Sequence, residues 1–125
     1  MMTRSKMLAV QEYLVQQEGA KCHKPTGFEL HDIQKRIMLN NYLDLFLKEA
    51  RKNDKYSCLS DIEILLTPRW SKILFDNHLD IQFDISVYEL PDGCKVEFDM
   101  VSGYWGMMND KNDWMLKLCG LFNIE

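Results

Sequence analysis

Between residues 79 and 102 the chain reads LDIQFDISVYELPDGCKVEFDMVS, and polar and apolar positions alternate through most of it. Successive side chains of a strand point to opposite faces, so Leu79, Ile81, Phe83, Ile85 and Val87 share one side, with Asp80, Gln82, Asp84, Ser86 and Tyr88 on the other. After Pro91-Asp92-Gly93 the alternation resumes, with Val96, Phe98 and Met100 apolar and Lys95, Glu97 and Asp99 polar. The pattern predicts an antiparallel hairpin over residues 79–102. Keeping both apolar sets on one face requires paired residue numbers to sum to an odd value. That predicts a four-residue loop, Pro91 to Cys94, with Val87 opposite Phe98, Ile85 opposite Met100 and Ser86 opposite Asp99. The three-residue loop that Pro-Asp-Gly also suggests would instead set Val87 against Glu97.

Elsewhere the period is helical. Met7, Val10 and Leu14 make an apolar stripe with Thr3 as N-cap, predicting a helix over residues 3–17 that Gly19 ends. Thr26 and Glu29 have the spacing of a capping box, which predicts the start of a long central helix. From residue 37 to 47 (IMLNNYLDLFL) apolar side chains fall all round that helix, so it needs cover on more than one side. The other helices and the hairpin are candidate covers, and a second copy of the chain, making a homodimer, is another.

Ser60 and Glu63 repeat the capping-box spacing, and Thr67-Pro68 gives a cap followed by Pro at the first helical position. Two short helices follow, over residues 61–66 and 68–77; alternation of Ile62, Ile64 and Leu66 leaves a strand as the other reading of the first. Gly103-Tyr104-Trp105-Gly106 reads as an aromatic loop. A last helix carries Trp114, Leu118 and Leu121 on one stripe and Met115, Cys119 and Phe122 on its neighbour. The expected fold class is α+β: a long central helix with N- and C-terminal helices packed on an antiparallel β-hairpin. At 125 residues and 14.8 kDa one domain, residues 1–125, is expected.

Composition narrows the function classes. Hydrophobic residues at 46% and charged residues at 27% are ordinary for a folded domain. No apolar run approaches the roughly 20 residues needed to span a bilayer, and the N-terminal segment lacks a leader's cleavage pattern. Cys22, Cys58, Cys94 and Cys119 are widely spaced with no C-x-x-C pair, which suits free thiols in a cytoplasmic setting. The net charge of −4 is uneven, being +3 over residues 1–55 and −7 over residues 56–125. An acidic half repels phosphate backbones and favours a partner with a basic surface.

No phosphate-binding glycine loop, nucleophile elbow or Cys-His catalytic pattern is present, and no cofactor is expected. The expected function is non-enzymatic: a small acidic protein-binding module, of the inhibitor, immunity or phage-accessory kind, that occludes a basic partner surface. Asp80, Asp84, Glu97 and Asp99 would steer the partner, and Tyr104 and Trp105 would anchor it.

Two other classes remain open. The same four carboxylates on one strand face have the chemistry of a divalent-metal enzyme, although no metal site is expected from the sequence. Cys22, His23 and His31 lack a recognisable fourth zinc ligand. The element order over residues 28–102, a long helix, two short helices and a hairpin, resembles a winged helix. That resemblance implies a DNA-binding regulator using Arg69, Lys72 and Lys95. Three cations beside an acidic hairpin are few for phosphate neutralisation, so nucleic acid is disfavoured.

Overall fold

A computed structural model of the chain describes residues 2–67, 81–108 and 114–124. It falls into two compact units, one made of residues Met1–His31 and Phe83–Glu125, the other of residues Asp32–Gln82. Among the described residues the elements run α1 (Arg4–Val15), β1 (Lys21–His23), α2 (Gly27–Asn41), α3 (Leu43–Ala50), α4 (Asp61–Leu65), β2 (Ile85–Glu89), β3 (Lys95–Asp99), β4 (Tyr104–Met108) and α5 (Trp114–Phe122). The class is α+β, the described residues forming five helices and one antiparallel sheet ordered β1-β2-β3-β4. The sequence-predicted hairpin is thus the middle of a larger sheet. Leu79, Asp80 and the segment expected as a helix over 68–77, with Arg69 and Lys72, lie outside the described residues.

In the first unit the turn overrules the hydrophobic pattern. Gly93 donates its backbone N–H to the Leu90 carbonyl at 3.0 Å, Leu90 donates to Cys94 at 2.8 Å, and Gly93 sits at φ +89°. This is a three-residue loop with glycine in the left-handed position. It fixes Val87 opposite Glu97, Ser86 opposite Phe98 and Ile85 opposite Asp99, correcting the expected register by one residue. The apolar set of β2 and that of β3 therefore lie on opposite faces.

One face carries Cys22, Ser86, Tyr88, Val96, Phe98, Trp105 and Met107. Helices α1 and α5 cover it: Met7, Val10 and Leu14 of α1 and Leu118 of α5 join Tyr88, Leu90, Cys94, Val96 and Phe98 in one buried cluster. The α1 stripe and its Thr3 cap agree with expectation, the Thr3 hydroxyl accepting from the Lys6 N–H. Tyr13 and Phe122 meet edge to face at 5.7 Å, as do Tyr88 and Phe98. Trp114 at the start of α5 donates to Asp92 in the β2–β3 turn, and the Asn123 carbonyl just past its end accepts from Lys6.

In the second unit the long helix is divided. Tyr42, at φ −129° and ψ 19°, separates α2 from α3, while Tyr42 N–H to Met38 and Phe46 N–H to Tyr42 bonds carry the chain through the bend. Asn40 and Asn41 directly precede it, residues whose side chains compete for backbone groups; the Asn40 amide bonds the Arg36 carbonyl. The bend lets Met38, Phe46, Ala50 and Ile64 share a buried cluster, with Leu39, Tyr42 and Leu47 packed on it. Contacts within the chain thus cover much of the surface that the sequence left open to a second copy. Helix α4 is capped by Ser60, whose hydroxyl accepts from the Glu63 N–H, so this segment is helix and not strand.

Candidate functional site

The shifted register redistributes the expected acidic patch. Glu97 and Asp99 are 2% and 0% exposed. Asp99 accepts from the backbone of Asp84, Val101 and Ser102 and from the Ser102 hydroxyl at 2.6 Å, so it organises the β3–β4 turn. Glu97 accepts from the Tyr104 hydroxyl at 2.9 Å. The Tyr104 ring crosses Gly106 to get there: a Cβ on Gly106 would stand 2.6 Å from that hydroxyl. Asp84 precedes β2 and pairs with Lys24 at 3.1 Å on the exposed surface.

Tyr104 and Trp105 point to opposite faces, Trp105 packing onto the α1/α5 cluster. A single exposed face holding Asp84, Glu97, Asp99, Tyr104 and Trp105 does not form. The reason is the even pairing sum, which turns Glu97 and Asp99 to the side of Ile85 and Val87, and that side is buried. Tyr104 and Trp105 also belong to β4 rather than to a loop, as two aromatics in a strand-favouring run allow.

What that face does gather is a polar cluster at its β1 end. His23 of β1 lies diagonal to Glu89 of β2, and Glu89 stands opposite Lys95 of β3. Glu29, in the first turn of α2, closes the group. The His23 Nε2 to Glu29 Oε1 distance is 2.6 Å and His23 Nδ1 to Glu89 Oε1 is 3.8 Å. Lys95 Nζ is 3.4 Å from Glu29 and 3.5 Å from Glu89. All four side chains are about one-third exposed.

Burial acts to raise the Glu29 carboxyl, but His23 and Lys95 together hold it below its ordinary value. Lys95 is raised, first by its hydrogen bond with Glu29, which outweighs the opposing effect of burial, and then by the charges of both carboxylates. Glu29, which the sequence offers as half of a capping box, pairs with His23 and Lys95. Sequence spacing carried no sign of the cluster, because strand pairing and the β1–α2 turn bring its members together. The expected loop over β1 hid the key strand; Cys22 and His23 lie on opposite faces of it, so they cannot share an ion.

Another exposed feature is α5. Of its nine residues, WMLKLCGLF, only Lys117 is charged, and only Leu118 is buried. Leu116 is 71% exposed, Leu121 56% and Met115 40%. Lys117 lies over the Trp114 ring at 4.6 Å. Comparison of the chain with protein-family models, with curated proteins and with solved structures returns no match. No helix among the described residues is long and apolar enough to cross a membrane.

Proposed function

We propose that this α+β chain is a non-enzymatic binding module that covers a surface of another protein, with α5 as its contact element. The observation that carries the reading is the apolar circumference of α5. A helix apolar on every side is one that is buried on every side, and here Met115, Leu116 and Leu121 remain open. The unit containing α5 holds seven Lys/Arg against eleven Asp/Glu, a net −4, while the other unit holds eight of each. A fitting partner therefore offers an apolar groove rimmed by basic side chains.

The absence of catalytic motifs in the sequence supports the non-enzymatic part. The inhibitor-like role expected from the sequence is kept, and its contact surface moves from the hairpin carboxylates to α5. Four free cysteines fit action in a reducing, cytoplasmic setting.

The test compares wild type with Leu116→Glu in pull-downs from the native host, with circular dichroism confirming that the variant folds. A stoichiometric partner retained by wild type and reduced at least tenfold by Leu116→Glu supports the reading, and its association should slow as salt rises. Equal retention by both proteins would overturn it. A homodimer that dissociates in the variant would reassign α5 to self-association.

A further inference from the structure

We infer that His23, Glu29 and Glu89 form a binding site for a divalent first-row transition cation, with the Lys95 ammonium occupying the place of the metal when none is bound. Each residue offers one ligand atom, and the three atoms lie within 4.8 Å of one another. Donors around a tetrahedral zinc, at bond lengths of about 2.0–2.2 Å, sit about 3.3–3.6 Å apart. The widest separation therefore needs a closure of about 1 Å and the 2.6 Å contact of His23 with Glu29 an opening of somewhat less, both within reach of rotation about the glutamate side-chain torsions.

The three ligands come from β1, α2 and β2, so the fold, and not one flexible loop, brings them together. Partial exposure leaves an entry path and room for water to complete the coordination. One imidazole and two carboxylates suit zinc, manganese or iron better than calcium.

Lys95 is what distinguishes this group from an ordinary surface ion pair. Its ammonium spans both carboxylates at 3.4 and 3.5 Å, beyond the 2.7–2.9 Å of a close charge-assisted bond. The two carboxylates of Glu29 and Glu89 thus hold a cation loosely. A metal at about 2 Å gains far more from the same two carboxylates than that ammonium does. The long Lys95 stem lets its charged end swing to solvent when displaced. Cys22 cannot compete for the same ion, since it faces Tyr88 on the other side of β1.

The experiment titrates the full chain, stripped with chelator, with Zn²⁺ by calorimetry, and with Co²⁺ by absorption. Expected are one ion per chain, a cobalt spectrum free of thiolate charge-transfer bands, and affinity lowered at least tenfold by His23→Ala and by Glu89→Gln. Lys95→Met should raise affinity several-fold, because it removes the internal competitor; a structural ion-pair role would leave it unchanged or lower. Should His23→Ala fail to fold, Glu89→Gln on the rim of the group carries the same comparison. Absence of stoichiometric binding in both wild type and Lys95→Met would overturn the site. So would binding that Glu89→Gln leaves intact, or a cobalt spectrum dominated by thiolate.

Discussion

Single side chains in the sheet show how buried acids are tolerated. Asp99 has no exposure, and its two oxygens accept four hydrogen bonds, three of them from backbone N–H groups: Val101 and Ser102 in the β3–β4 turn and Asp84 just ahead of β2. Replacing it with alanine strands those donors, and Asp99→Ala should lower unfolding free energy by about 2–3 kcal/mol in urea titrations. Gly106 and Gly120 make a contrasting pair. A methyl at Gly106 meets the Tyr104 hydroxyl at 2.6 Å and comes within 3.4 Å of Glu97, so Gly106→Ala should cost about 1–3 kcal/mol by overpacking and by breaking that hydrogen bond. A methyl at Gly120 meets nothing within 4 Å, and Gly120→Ala in the body of α5 should stabilise by about 0.5–1 kcal/mol. Thermal melts of the two variants should move in opposite directions.

At the scale of elements, local signals were legible wherever local chemistry decided the outcome. Thr3 and Ser60 cap helices as their spacing predicted, and the stripe of Met7, Val10 and Leu14 is buried. Removing the α4 cap with Ser60→Ala should cost about 1 kcal/mol, seen as faster amide exchange over residues 61–65. Register was harder to read because two rules conflicted. Alternation asked for an odd pairing sum, while Pro91-Asp92-Gly93 asked for a three-residue loop and an even one. The turn prevails because both faces of the hairpin are buried, so an apolar set can be housed on either side. The division at Tyr42 and the strands β1 and β4 also escaped a local reading. Each is short, and partner strands or a shared buried cluster stabilise it more than its own propensity does.

For the molecule as a whole, charge and titration set the working range. Burial and a hydrogen bond with Cys22 push the Tyr88 phenol up to about 12 from 10, so the folded chain keeps a proton that the unfolded chain releases above pH 10. Stability should therefore fall between pH 10 and 12, and Tyr88→Phe should flatten that part of the curve in denaturant titrations. Glu29 is held below 4.5 by His23 and Lys95, so its contribution is present above the unfolded value and lost as pH falls through the lowered one. A stability plateau bounded on both sides is the expected profile.

The α+β class, the α1 stripe, the helix caps and the uneven charge follow from residue types at set spacings, which act over a few positions and can be read along the chain. Which carboxylates meet water, which meet Tyr104 or a backbone turn, and which meet His23 and Lys95 depended on strand register and on the burial of both sheet faces. Those are long-range pairings whose free energy belongs to no single stretch of sequence. Tertiary structure therefore buried Glu97 and Asp99, which alternation had placed at the surface, and it left α5 partly bare.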